Sequence, residues 1–428
     1  MTEMTTAAEL DAALAVDPPR ERLWENDPGL YWATLDGATW GRDNPVAALS
    51  LPALRHNVAD IARRAGGVSI RVASKSLRVR PIIDALVRLD NVVGVLAYDV
   101  AEAIWLAADT DDRAGIEDVL LGYPTANRGA IGDLCANPQA LQRVTLLVDS
   151  IAELDLIDSV VPPGARDEIR VAIDLDASLR LPGIGDLGVL RSPIHTQGEA
   201  VSLASAIVAR AGFRLVGVMS YEAQVAGVGN DVPGKTLENH AIRAMQGYSM
   251  RELRHRRGRI IDEIGQLADL EMVNAGGTGS IEETAKDRAI TDIAVGSGYF
   301  GGHLFDNYQH FQPAPALGFG LAVVRKPRSD VVTCHGGGWI ASGPPGADRL
   351  PRVVWPAGLE YQDREAAGEV QTPLRGEAAI GMRVGDRVWL RHTKSGELSE
   401  RINSMVLVDD DAAVGEVPTY RGEGKAFV

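Results

Sequence analysis

Lys75 closes the segment VSIRVASKS (68–76), at the end of an apolar run where a charge is out of place. Strand interiors favour β-branched residues, and a lysine is rarely buried there without a partner. An amine held at such a point attacks carbonyl carbon once it sheds its proton. Two hundred residues on, Gly276, Gly277, Thr278, Gly279 and Ser280 have the composition of an anion cradle. Glycines let backbone N–H groups approach a phosphate closely, and Thr278 and Ser280 add hydroxyl donors. Gly296, Ser297, Gly298 and Tyr299 form a second glycine-rich turn. Between Lys75 and these turns stand Asp174 and Asp176, then Arg180 and Arg191, then Ser220, Tyr221 and Glu222. Near the C-terminal end, RHTKSGELSER (391–401) carries His392 and Lys394, types that bind a substrate carboxylate or phosphate or work as acid and base. Cys334-His335-Gly336-Gly337-Gly338 reads as a β-bulge, with a further anion-binding turn as the alternative.

Eight short apolar runs supply the positions for most of these groups. They are SIRVASK (69–75), VVGVLAY (92–98), DVLLGYP (118–124), RVTLLVD (143–149), IRVAIDLD (169–176), RLVGVMSY (214–221), EMVNAGG (271–277) and DIAVGSGYF (292–300). Helical patterns precede and separate them, from LPALRHNVADIARRAGG (51–67) to the long 236–268 segment. Nearly continuous apolar strands indicate burial on both faces, as in a parallel sheet. Eight strand–helix units over 51–325 match a (β/α)8 TIM barrel in number and size. An open doubly wound sheet is the rival, but its GxGxxG after the first strand is missing. After 325 the chain reads as short strands between Gly/Pro turns, an all-β C-terminal domain over 326–428. Within it, MRVGDRVWLRH predicts a Gly-Asp turn and an alternating strand. Residues 1–50, with LYWATLDGATWG, read as β structure packing with that domain.

Composition limits the function classes. A chain of 428 residues suits two domains, and 45% hydrophobic with 24% charged residues is an ordinary globular profile. No apolar stretch reaches the roughly 18 residues of a membrane helix. The acidic N-terminal stretch lacks a basic-then-apolar signal pattern, which predicts a cytoplasmic protein. Two cysteines, Cys135 and Cys334, make neither a disulfide framework nor a CxxC metal site. A net charge of −15 makes nucleic acid and anionic membranes poor partners. Small-molecule chemistry is what remains.

In a barrel of this kind the active site is built at the C-terminal ends of the strands, and each group named above except those in the β domain falls there. The loops after strands seven and eight are the usual phosphate site of the architecture. A phosphate grip in the same barrel as a strand-one amine suggests a phosphorylated aldehyde held by Lys75, pyridoxal 5'-phosphate.

The motifs RVASKSLR (71–78), MSYEAQ (219–224), VNAGGTGS (273–280) and VGSGYFGGHLFD (295–306) resemble those of the fold-type III pyridoxal-phosphate enzymes, most closely the D-threonine aldolase and D-serine dehydratase branch. The resemblance implies an alanine racemase-like fold, barrel plus β domain. It carries the Schiff-base role onto Lys75, within a pattern met by Arg71, Ser76 and Arg78. It carries cofactor contacts onto Arg71, Tyr221, Gly276, Gly277, Thr278, Gly279, Gly296, Ser297, Gly298 and Tyr299, and onto Arg180 or Arg191. Members of the branch hold a divalent metal with His-x-Asp or His-x-Cys. His392-Thr393-Lys394 departs from that pattern, since an ammonium repels a cation. No metal is therefore expected, with His392, Glu397 and His335 as the residues that would rescue one. The implied function is lyase chemistry at the α-carbon of a D-amino acid, by retro-aldol cleavage or dehydration. The alternatives are a racemase, with Tyr221, Tyr361 or Tyr420 as second base, and a non-catalytic cofactor-binding protein. The resemblance further implies a homodimer.

Overall fold

The structure is a computed structural model describing residues 4–428 apart from Pro182, Ile184, Pro345 and the side chain of Ser395. Its chain divides into two compact units, one of residues 61–75, 86–296 and 427–428, the other of residues 1–60, 76–85 and 297–426.

The first unit contains a closed parallel barrel of eight strands. In chain order they are Ser69–Ala73, Val92–Ala97, Val119–Leu121, Val144–Val148, Ile169–Asp174, Phe213–Ser220, Met272–Ala275 and Asp292–Val295. Each pairs in parallel with its neighbours, and the eighth closes on the first through Asp292 to Val295 against Ser69 to Val72. All eight expected strands form, each within a few residues of its predicted bounds. Side-chain alternation sends one set of residues outward under the helices and the other into the barrel. The interior set includes Leu96, Leu120, Leu147, Ala172, Val216, Met219 and Met272, a packed apolar layer.

Below that layer the barrel is closed by charge. Arg71 is 1% exposed and donates from Nε to Asp292 Oδ1 at 2.9 Å and from both Nη atoms to Asp118 at 2.9 and 3.0 Å. Asn274 Nδ2 adds a bond to Asp292 Oδ1 at 2.6 Å. Gly94 is required beside this cluster, because a Cβ there would lie 2.9 Å from Arg71 Nη1 and 2.3 Å from the Asp118 carbonyl. Asp118 precedes the third strand and Asp292 opens the eighth, so the cluster sits at the N-terminal end of the barrel, opposite Lys75.

Local capping signals start the barrel helices. Asp99 caps Val100–Ala107, Asn127 caps Arg128–Cys135 and Asn137 caps Pro138–Arg143. Ser150 with Glu153 and Thr196 with Glu199 form capping boxes. The longest helix, Thr236–Ile264, follows the sixth strand and buries Met250, Leu253, Ile260 and Ile264. No helix among the described residues is long and apolar enough to cross a membrane.

The second unit is built on a nine-stranded, mostly antiparallel sheet. Leu317–Arg328 is its central strand and pairs with Val46–Ser50, Val331–His335 and Arg387–Arg391. It runs through position 325, and Val46–Ser50 enters the same sheet from the N-terminal region, so sheet and sequence segments do not share boundaries. Arg387–Arg391 is buried along its whole length rather than alternating.

Within residues 1–50, Val46–Ser50 is a strand, while LYWATLDGATWG corrects the expectation of β structure. LYWATLDGA lies in helix Pro28–Ala38, with two further helices at Ala7–Leu14 and Leu23–Asn26. Asp27 accepts from the Leu30 amide and Pro28 fills the first turn, a start signal that outweighs the strand preference of aromatic residues and threonine. Tyr31, Trp32 and Leu35 then fall on one buried face, and Asp36 takes Trp389 Nε1 at 2.8 Å and Arg387 Nε at 2.7 Å.

Candidate active site

Continuing each barrel strand by one inward step reaches the C-terminal rim. The residues found there are Lys75, Asp149, Asp174, Tyr221, Gly276 and Gly296. Lys75 sits exposed in the short 3-10 turn Ser74–Ser76 and donates from Nζ to Tyr123 Oη at 2.9 Å. Tyr123 follows the third strand by two residues and is half-buried. The Arg191 guanidinium lies 5.8 Å from the Tyr123 ring centre and 5.7 Å from that of Tyr221. Of the two arginines left open by the sequence, Arg191 therefore faces the rim tyrosines. Arg180 lies on the hairpin Leu179–Leu181/Gly185–Leu187 and pairs with Asp176 at 3.2 Å.

The rim carboxylates have been driven apart in acidity. Pairing of Val148 with Ile173 sets the next residues, Asp149 and Asp174, side by side. Asp174 is 8% exposed and its carboxyl accepts no hydrogen bond among the described residues. Burial, then the neighbouring Asp149, push it up to about 7 against the pull of Arg191. Burial and Glu153 push Asp149 up to about 6. Two residues away Asp176 goes the other way. Burial would raise it, but bonds from Ser178 N and Oγ and from His195 Nδ1 hold it below the ordinary carboxylate value. Asp174 can thus give or take a proton near neutrality, while Asp176 is a fixed anion.

The glycine loop is held from beneath by Glu222. This fully buried carboxylate accepts from the Gly276 amide at 3.2 Å, from Ser280 Oγ at 3.2 Å and from Thr284 Oγ1. Arg257, itself bonded to Asp287 at 2.8 Å, lies 3.6 Å away and balances its charge. Ser280 is thereby corrected as a phosphate donor, because its hydroxyl is spent on Glu222 and on accepting the Gly277 amide. The Gly279 amide has no acceptor among the described residues. A Cβ on Gly277 would stand 3.1 Å from Ala226 Cβ and 3.2 Å from Tyr221 Cε2, so the ring of Tyr221 packs on bare backbone. Gly276 has φ +76°. A cradle with a free amide and no room for side chains fits an anion such as phosphate.

Other predicted residues lie elsewhere. Arg71 is corrected as a cofactor contact, since both edges of its guanidinium are committed at the far end of the barrel. Gly296 follows the eighth strand, and Ser297, Gly298 and Tyr299 open the helix Ser297–Phe300 in the second unit. There Ser297 Oγ donates to Ser76 Oγ at 3.1 Å, Arg78 pairs with Glu400 at 2.6 Å, and Tyr299 is 1% exposed with its phenol raised by burial. His392 is buried, Nδ1 bonds the Leu317 carbonyl, and burial with the adjacent Arg391 pushes it down to about 3. Lys394 donates to the Ser342 carbonyl at 2.8 Å, and Glu397 accepts the Ser342 amide. Tyr361 donates to the Pro351 carbonyl at 2.7 Å and Tyr420 is fully buried. The Cys334–Gly338 turn spends its Gly336 amide on the Val370 carbonyl and keeps regular register with Gln371–Arg375. Among the described residues no three His, Cys, Asp or Glu side chains gather as a metal would need.

Tyr123 and Asp149 are the rim residues that motif reading passed over. Both stand at the ends of apolar runs, LLGY and LLVD; Asp149, two residues after the interior Leu147, also falls in the interior register, whereas Tyr123, three after Leu120, does not.

No known family model matches this sequence, and no curated protein matches it by sequence. In fold it is similar to the D-threonine aldolase of Filomicrobium marinum, with TM-score 0.70 and 19% identity over 89% of this chain and 95% of that one. It is also similar to D-threo-3-hydroxyaspartate dehydratase from Delftia sp. HT23, with TM-score 0.65 and 15% identity over 89% and 98%. Alanine racemase of Clostridium difficile 630 follows with TM-score 0.60 and 16% identity over 88% and 99%. The chain has the alanine racemase-like fold, barrel and sheet, that its motifs implied.

Proposed function

We propose that this chain is a pyridoxal-phosphate-dependent enzyme acting at the α-carbon of an amino acid, with lyase chemistry on a β-hydroxy D-amino acid as the favoured reaction. One observation carries the reading: an exposed rim lysine and a glycine cradle with an open amide occupy the same barrel mouth. The aldolase and dehydratase among the proteins of like fold support the lyase choice.

When bound, the cofactor supplies an aldehyde for amines and a ring that withdraws electrons from the α-carbon. Lys75 would hold it, the open Gly279 amide would receive its phosphate beside the bare backbone of Gly277, and the packed Tyr221 ring would form a wall. Arg191, between Tyr123 and Tyr221, would set the positive potential of the mouth. Asp174 can keep a proton on its carboxyl near pH 7, which suits it to protonate a departing hydroxide. A racemase is the second reading, supported by the alanine racemases of like fold. A bare cofactor-buffering protein has no evident use for a nine-stranded second unit.

The protein should be yellow, and borohydride should fix the chromophore on the Lys75 peptide. Lys75→Ala should abolish both, and fixation on another lysine would sink the assignment. Incubation with D-serine, D-threonine and D-alanine then separates the reactions: keto acid or aldehyde means a lyase, inverted enantiomer a racemase. Sedimentation of the holoprotein tests the homodimer that the reading also expects.

A further inference from the structure

The rim presents two tyrosines to one arginine, and their surroundings are unlike. Tyr221 is half-buried, as Tyr123 is, but its ring packs on Gly277 and desolvation pushes its phenol up to about 12. It is a poor proton carrier at neutral pH. Tyr123 is half-buried and its phenol oxygen is 2.9 Å from Lys75 Nζ. The ammonium nitrogen also lies 5.6 Å from the Tyr123 ring centre, and Arg191 approaches the same ring at 5.8 Å.

We propose that Tyr123 is the acid–base partner of Lys75, carrying protons for each condensation of that amine with a carbonyl group. The inference deepens the reading of Lys75 as a carbonyl-binding amine and rests on it. The neutral amine attacks the carbonyl carbon, nitrogen loses one proton and the carbonyl oxygen gains one. The C–O bond then breaks as Tyr123 Oη gives its proton to the departing hydroxyl, releasing water. The phenolate recovers a proton from nitrogen, leaving the C=N bond. Atoms and charge balance with one molecule of water released, and no other reactant is needed. The same residue then stands ready beside the reacting carbon, within its own chain, where Tyr361 and Tyr420 are committed elsewhere.

The test does not use the cofactor. Full-length protein, stripped of bound carbonyl compounds with hydroxylamine, is treated with propionaldehyde and cyanoborohydride, and alkylation of the Lys75 peptide is timed by mass spectrometry. Tyr123→Phe keeps the ring and loses the proton, so Lys75 alkylation should slow on the order of a hundredfold, the lower end for a positioned acid–base group. Tyr248→Phe, at an exposed phenol on the Thr236–Ile264 helix, should leave the rate unchanged within about twofold. Fluorotyrosine at position 123 should move the pH profile of the rate downward with the acidity of the phenol, which a merely structural ring would not do. A Tyr123→Phe rate within about tenfold of wild type, or a pH profile indifferent to fluorination, overturns the proposal. A colourless protein whose Lys75 labelling still depends on Tyr123 would sink the cofactor reading and leave this one standing.

Discussion

Replacing Asp174 by asparagine should make the apoprotein more stable at pH 8 and much less so at pH 5. The reasoning starts from a carboxyl that is 8% exposed, lies beside Asp149 and has no hydrogen-bond donor among the described residues. Its pKa stands at about 7 in the fold against 3.8 ordinarily. A raised acid binds its proton more tightly folded than unfolded, so the stability it contributes is fully present below about pH 4 and is lost as pH rises through about 7. At 1.36 kcal/mol per pH unit that interval corresponds to roughly 4 kcal/mol, and relaxation and water entry reduce what is realised to about 1–3 kcal/mol. Asparagine keeps the shape and removes the charge. Urea unfolding of wild type and Asp174→Asn at pH 5, 6, 7 and 8 reads the difference, and carboxyl-labelled NMR of wild type reads the titration directly. The groups facing Asp174 are Asp149, Glu153 and Asp176 on the acidic side and Arg191 on the basic side. Asp149→Asn should therefore lower the Asp174 titration and flatten the same slope. If Asp174→Asn destabilises the protein at pH 8, or keeps the wild-type slope, Arg191 holds the carboxylate ionised and the proton-donor role fails.

Gly277→Ala should weaken pyridoxal phosphate binding by tenfold or more, measured by equilibrium dialysis, because the new methyl must displace Tyr221 or Ala226. Arg71→Met should lower global stability by about 3–5 kcal/mol, since it leaves Asp292 buried without its cation, while leaving cofactor affinity within about threefold. Urea unfolding and the same dialysis check the two halves of that expectation.

Much of this site was legible before folding. Apolar runs of strand length are spaced by helical patterns eight times, and a polar residue at the end of such a run is conspicuous, which is how Lys75 and the Gly276–Ser280 loop stood out. The N-terminal region misled because aromatic content is a weak prior and a cap such as Asp27-Pro28 decides locally. Arg71 misled because four residues along a strand share a face with Lys75 but lie at opposite ends of the barrel.

What the chain determined by itself is the period: which residues alternate inward, where glycine leaves backbone bare, and hence the barrel and its candidate nucleophile. Only the tertiary structure decided company. Barrel closure and register set Asp149 beside Asp174 and sent Arg71 to Asp118 and Asp292, while the rim loops brought Tyr123 to Lys75 and Arg191 between two tyrosines. Acidity and hydrogen bonding depend on neighbours a few ångströms away, and those neighbours are tens to hundreds of residues distant along the chain. The same physics turned His392 inward, where burial rather than sequence context keeps it neutral.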